Sequence, residues 1–194
     1  LGHYAQALET IESSVSIARE IGAMTGKKLN LTKIRLQEGN EKTLDAISIQ
    51  VSDAELCPRY TARVLKGVRL GPSPEWLQAR LNAIGIRPVN NVVDITNYVL
   101  MESGHPLHAF DYDKIAGKRI VVRRANKGET LVSLDHKTRT LTGDELVICD
   151  ERQPIALAGV MGGEATEISE STHTIVLESA YFNPATIRRT AKHH

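Results

Sequence analysis

The sequence predicts an α+β domain: a mixed or antiparallel β-sheet core flanked by helices, with a helical extension at the N-terminus. Three observations carry this. Apolar residues recur at helical spacing at the front, middle and end of the chain. Short runs of period two crowd the space between them. The 194 residues are 41% apolar and 24% charged, the profile of a globular chain that hides roughly 70% of its unfolded surface and holds a core without staples.

The elements follow in order. From Glu9 to Met24, Ile11, Val15, Ala18 and Ile21 mark one helical face, and Gly26 with two lysines stops it. Leu36–Lys42, polar and containing Gly39-Asn40, reads as a linker. Ile47, Ile49 and Val51 alternate with polar residues, Tyr60–Val68 forms a second β-like run, and the two are expected to pair. Ser73-Pro74-Glu75 opens a helix, with Ser73 accepting from an orphan amide and Leu77, Leu81 and Ile84 as its buried stripe. A helix from about Val92 to Ser103 closes at Gly104, with Asn90 or Asn91 as its cap and Asp94 favouring its positive end. Strands are expected at Arg119–Arg124, Thr130–Leu134, Thr138–Thr142 and Leu146–Asp150, with Asp135-His136 at a hairpin tip. The apolar run Pro154–Val160, a strand at His173–Leu177 and a helix capped by Asn183-Pro184 complete the chain. Residues 1–44 thus read as a helical segment and linker, and 45–194 as the principal domain.

Composition narrows the function classes. Cys57 and Cys149 stand far apart without a CxxC, so neither a zinc knuckle nor a disulfide framework is supported, and a reducing, cytoplasmic location is expected. With 24 Lys+Arg against 23 Asp+Glu, nucleic acid cannot be held by overall charge and any such contact is local. No run approaches 18 apolar residues and the first twenty lack a signal-peptide layout, which argues against membrane insertion. GxGxxG, GxxxxGK[ST], HExxH and GxSxG are all missing, and with them the dinucleotide, P-loop, zincin and α/β-hydrolase readings.

Four segments remain chemically suggestive. Ala158–Gly163 is glycine-rich: either a tight turn or a backbone made for close approach. His105–Asp111 carries two imidazoles and a carboxylate, but Pro106 forbids helical ligand spacing and only this loop offers ligands, so no metal is assigned. Thr96 and Asn97 sit one turn into a helix, where such side chains compete with the backbone, so they are either functional or simply solvated. Glu178, following Thr174-Ile175-Val176-Leu177, either pairs with an arginine such as Arg87 or Arg188 or awaits a ligand.

The run Arg87–Val99, the loop Gly104–Asp111, Ala158–Gly163 and Ile175-Val176-Leu177-Glu178, in that order, resemble the β subunit of bacterial phenylalanyl-tRNA synthetase, and within it the editing domain. The resemblance runs from about Thr61 to the C-terminus; Val15–Leu29 also resembles the family's helix, whereas Leu1–Ser14 departs from it. It implies a hydrolytic site that removes tyrosine from mischarged tRNA(Phe). An apolar pocket for Phe rejects an added hydroxyl by only about 10², whereas a site that hydrogen-bonds that hydroxyl discriminates by about 10⁴ or more.

Carried over by position, Glu178 resembles the acceptor for the tyrosine phenol and Gly162 the pocket floor, with Gly159 and Pro106 also substrate-binding. Arg87, Thr96, Asn97 and His108 match positions near the ester and terminal adenosine, with His108 the candidate proton acceptor from water. Backbone amides of Gly159–Gly163 are the expected oxyanion donors. The implied partners are tRNA(Phe), the synthetase α subunit in an α2β2 assembly, and tyrosine in the pocket; no DNA or membrane is expected. ATP and Mg2+ would serve the parent enzyme's aminoacylation site, outside this chain. The alternative is a non-catalytic scaffold that positions tRNA. Arg119, Arg123 and Arg124 on one strand, and Arg188, Arg189 and Lys192 on the last helix, are either phosphate contacts or a solvated face.

Overall fold

The structure, a computed structural model, describes residues 19–28 and 34–194. Residues 19–25 are helical; the rest of the helix expected over Glu9–Met24 lies outside the described residues. A short helix α1 (Thr43–Ala46) leads into β1 (Ser48–Val51), followed by β2 (Arg59–Lys66), α2 (Glu75–Ala83), α3 (Asn91–Ser103) and β3 (His108–Asp111). Then come β4 (Arg119–Arg124), β5 (Thr130–Val132), β6 (Thr138–Thr140), β7 (Leu146–Cys149), β8 (Pro154–Leu157), β9 (Met161–Gly162), β10 (Thr174–Tyr181) and α4 (Pro184–His193).

The strands form a five-stranded sheet in the order β1-β4-β7-β8-β9, a three-stranded sheet β2-β10-β3 and the hairpin β5-β6. In the first, β1 runs parallel to β4 and every other pair is antiparallel, so the α+β class with a mixed sheet and flanking helices holds. The expected pairing of β1 with β2 does not form. The backbone reverses at Asp53–Cys57, where Cys57 N donates to Asp53 O at 2.9 Å, and delivers β2 to β10 along its full length, Thr174↔Lys66 through Tyr181↔Arg59. Each of the two strands then presents its apolar face to one core from a different sheet.

That core holds Ile47, Phe110, Ile120, Val122, Ile148, Ile155, Val176 and Ile187. On the other side of the five-stranded sheet, Leu131 and Leu141 of the hairpin region cover Val147, Cys149 and Leu157. This explains why Leu146-Val147-Ile148-Cys149 and Pro154-Ile155-Ala156-Leu157 are unbroken apolar runs: β7 and β8 are buried on both faces. Alternation survives in β2, which has only one covered face.

At α2, Ser73 is not the cap. Pro74 takes that position without a side-chain bond, and the Ser73 hydroxyl donates instead to Asp94 Oδ2 at 2.5 Å. Ile84 is half exposed, leaving Leu77 and Leu81 as the buried stripe. For α3 the capping residue is Asn90, accepting from Val92 N and Val93 N, and Gly104 closes the helix at φ 72, a left-handed turn that glycine adopts freely. Asp94 is fully buried and also accepts from Val89 N at 2.8 Å, so it fastens the loop before α3 to the helix rather than merely favouring a dipole. Asn183 caps α4 through Ala185 N and Thr186 N.

Candidate functional site

β10 is the centre of the three-stranded sheet, and its alternation sends Val176 and Glu178 to the inner face and Leu177 and Ser179 to the other. Glu178 lies within the strand, not beyond it, because β2 pairs with it through Tyr181; its polar sequence had resembled a strand end. It stands directly opposite Ala62 on β2 and His108 on β3. Opposed residues share a face with Cβ atoms about 5 Å apart, so the register alone makes the carboxyl and imidazole neighbours. The segment expected as a loop through Asp111 is therefore half strand.

The partner of Glu178 is neither Arg87 nor Arg188 but Tyr60, diagonal to it on β2, whose hydroxyl donates to Oε2 at 2.7 Å. No donor to Oε1 is present among the described residues. Glu178 is buried, and burial pushes its carboxyl from 4.5 up to about 7, with the Tyr60 hydrogen bond pulling the other way. Burial and then the neighbouring Glu178 push the Cys57 thiol up to about 11 and the Tyr60 phenol well above 10. Burial also drives the His108 imidazole down from 6.5 to about 4. Near neutral pH the pair is thus an uncharged imidazole beside an acid that is roughly half protonated, environments that push two titrating groups apart.

His108 packs edge-on against Phe110 with ring centroids 4.5 Å apart. A Cβ at Gly162 would meet its Cε1 at 2.6 Å and Nε2 at 2.9 Å. The room that Gly162 leaves is therefore taken by the imidazole. Gly159 has φ +65, and a Cβ there would lie 3.1 Å from Phe182 and 3.3 Å from Ile187, so the glycine-rich run is both a tight turn and a close approach. Two of the amides expected as oxyanion donors are already used, Val160 N donating to Leu157 O at 3.1 Å and Gly163 N to Ile155 O at 2.8 Å, as is the preceding Ala158 N, which donates to Leu146 O at 3.0 Å. A turn packed on a sheet edge uses part of its own N–H groups in this way.

α3 packs against β3 and so sits beside His108. Thr96 Oγ1 donates to Val93 O at 2.7 Å, committing its hydrogen to the helix. Asn97 is half-buried, with no hydrogen bond from its side chain among the described residues. Arg87 and Pro106 are exposed, and no hydrogen bond there ties Arg87 to the cluster. Asp111 accepts from Thr172 Oγ1 at 2.7 Å and Asp113 N at 3.0 Å, so its carboxylate is structural. The structure therefore unites Glu178, His108 and Gly162, lays the helix of Thr96 and Asn97 alongside, and adds Tyr60 and Cys57, which sequence reasoning missed. The β2–β10 register reveals Tyr60, and Cys57 precedes β2 by two residues. A separate groove of about 560 Å³, lined by Thr61, Arg63, Leu107, Leu177 and Ser179, opens on the opposite sheet face. Among the described residues no helix is long and apolar enough to cross a membrane.

Fold and site together define an α+β domain with an acid, a phenol and an imidazole gathered on one inward sheet face. The chain belongs to the B3/4 domain family, whose sequence model matches residues 56–194. It is 54% identical over 180 residues to the phenylalanine-tRNA ligase β subunit of Syntrophotalea carbinolica, covering 93% of this chain and 22% of that one. The β subunit from Geobacter sulfurreducens gives the same identity and coverage. That of Protochlamydia amoebophila is 48% identical over 192 residues, 99% of this chain and 23% of its own length. The chain thus spans under a quarter of these curated relatives. Among solved structures, an N-terminal fragment of the phenylalanyl-tRNA synthetase β subunit from Pyrococcus horikoshii shares the fold, with TM-score 0.53, 15% identity, and coverage of 90% of this chain and 55% of that one.

Proposed function

We propose that this chain is the editing module of a phenylalanine-tRNA ligase β subunit, hydrolysing Tyr-tRNA(Phe) in a pocket that recognises the tyrosine hydroxyl. The observation that carries the reading is the buried carboxyl of Glu178, which already accepts a hydrogen bond from a phenol at 2.7 Å. It thus offers to a substrate the chemistry that it offers to Tyr60. Phe lacks the donor and leaves the second carboxyl oxygen desolvated without compensation, the penalty behind discrimination of about 10⁴.

Water attacks the ester carbonyl, the bond to the ribose oxygen breaks, and that oxygen takes a proton. His108, uncharged across the neutral range, accepts a hydrogen bond from the water; a base this weak orients more than it deprotonates, and a ribose hydroxyl of the substrate supplies the remaining help. Asn97, Thr96 and Arg87 hold the ester and terminal adenosine, while Gly162, Gly159 and Pro106 shape the amino-acid pocket. The functional unit is residues 45–194, with 1–44 as a helical lead and linker. The whole ligase would use ATP and Mg2+ for aminoacylation in a site this chain does not supply, with the α subunit and tRNA(Phe) as partners.

The test is deacylation of purified Tyr-tRNA(Phe) and Phe-tRNA(Phe). The expected result is hydrolysis of the tyrosyl ester alone, with Glu178→Ala abolishing the preference. Equal treatment of both esters by the unaltered chain overturns the proposal. A second reading, a scaffold that positions tRNA without catalysis, is favoured by the same site being filled: Tyr60 satisfies Oε2 and His108 occupies the space at Gly162. Free tyrosine separates the two. Editing predicts a rise in melting temperature with tyrosine and none with phenylalanine; the scaffold predicts equal shifts or none.

A further inference from the structure

The polypeptide brings cations that are far apart in sequence into one groove. Arg124 ends β4, and Arg188, Arg189 and Lys192 stand on α4; together with Glu55 and Asn183 they line an open groove of about 620 Å³. α4 is two-faced: Thr186, Ile187 and Thr190 are buried against the core, while Arg188, Arg189 and Lys192 are exposed. Arg188 and Lys192 are one turn apart and share a face. Arg124 is held at the groove by Asp53, 3.1 Å from its Nε. The ion pairs among the described residues include none with Arg188, Arg189 or Lys192. A chain balanced overall at +1 therefore concentrates four cations in one place against the carboxylates of Glu55 and Asp53, the latter already paired with Arg124. The other arginines of β4 are committed elsewhere, Arg123 to Glu129 at 2.6 Å and Arg119 to Gln50 at 2.6 Å.

The groove is also mechanically continuous with the buried cluster. β10 runs from Glu178 straight into the Asn183 cap of α4, five residues or roughly 17 Å of extended chain. Beneath the exposed cations, Ile187 packs on Gly159 of the turn whose Gly162 touches His108.

We propose that this groove binds the phosphate backbone of the tRNA acceptor strand, fixing it a few nucleotides from the buried cluster so that the terminal ester reaches His108 and Glu178. The inference rests on the editing reading for its partner. Its chemistry, phosphate held by arginine and lysine, rests on the groove alone.

The experiment measures binding of an uncharged tRNA(Phe) transcript with an intact CCA end to the chain across about 50 to 200 mM salt. The protein compared is the triple variant Arg188→Gln, Arg189→Gln and Lys192→Gln. The control triple, Lys127→Gln, Lys137→Gln and Arg152→Gln, removes exposed cations elsewhere. Loss of three phosphate contacts lowers the slope of log K against log salt by about 2 to 3, an approximately thirtyfold smaller loss of affinity over that range. An unchanged slope, or an equal fall in the control, overturns the proposal; a groove variant that instead loses only a protein partner does the same. Glu178→Ala is run in parallel for ester preference. A groove variant that binds normally beside a chain that still edits sinks the groove alone. A weakened groove variant beside a chain that never distinguishes the esters sinks the editing reading and leaves the RNA site standing. Melting curves confirm folding, and the exposed positions and near-isosteric glutamines keep that comparison open.

Discussion

Replacing Glu178 by glutamine isolates the energetic consequence of burying an acid on an inward sheet face. The folded carboxyl sits at about 7 against 4.5 for the unperturbed group, so the folded protein holds the proton more tightly than the unfolded chain. The stabilising contribution is complete below pH 4.5 and is lost as pH rises through 7. At about 1.36 kcal/mol per unit, the ionised form costs about 3 kcal/mol, most of which develops between roughly pH 5 and pH 8. Glutamine matches the protonated acid in shape and its carbonyl still accepts from Tyr60, but it carries no charge at any pH. Urea unfolding of both proteins at several pH values reads the difference directly. The glutamine protein gains on the natural one by about 2 to 3 kcal/mol across that interval, because glutamine does not titrate and the raised carboxyl value already includes the hydrogen bond from Tyr60. A difference constant within about 0.5 kcal/mol from pH 5 to 8 refutes the reasoning, because an acid indifferent to pH there is neither desolvated nor raised.

Tyr60→Phe removes the only donor to Glu178 among the described residues and raises that carboxyl further. The loss, about 1–3 kcal/mol, is larger at pH 8 than at pH 5, and equal losses at both count against the pairing. His108 contributes the opposite slope: its folded value of about 4 lies below the ordinary 6.5, so its stabilising contribution is present above 6.5 and fades as pH falls through 4. His108→Gln accordingly flattens acid unfolding between those values, and an unchanged acid limb contradicts the burial. Gly162→Ala forces a Cβ to within 2.6 Å of the imidazole and costs about 1–3 kcal/mol. His108→Ala in the same chain relieves part of that cost, so a double-mutant cycle without coupling above about 0.5 kcal/mol disproves the contact.

How much of this was legible before the fold was known follows from the range of the physics involved. A cap at Asn90 or Asn91, Gly104 as a stop, the Asn183-Pro184 helix start and the apolar runs of β7 and β8 depend on neighbours a few residues away, and the sequence states them directly, leaving only the choice of Asn90 to the structure. The α+β class followed from the periodicities, and the glycine and histidine segments that meet at Gly162 and His108 were both singled out. Tertiary pairing decided the rest. Whether β2 joined β1 or β10 turns on which apolar faces close a common core, and a period of two fixes faces without fixing partners. From that choice came the Tyr60 hydroxyl on Glu178 in place of an arginine, the imidazole in the room beside Gly162, and Arg124 beside the cations of α4. Local sequence determines which side of a strand or helix a residue occupies; long-range contact alone determines what it faces, because chain entropy must be overcome by burial that no segment achieves by itself.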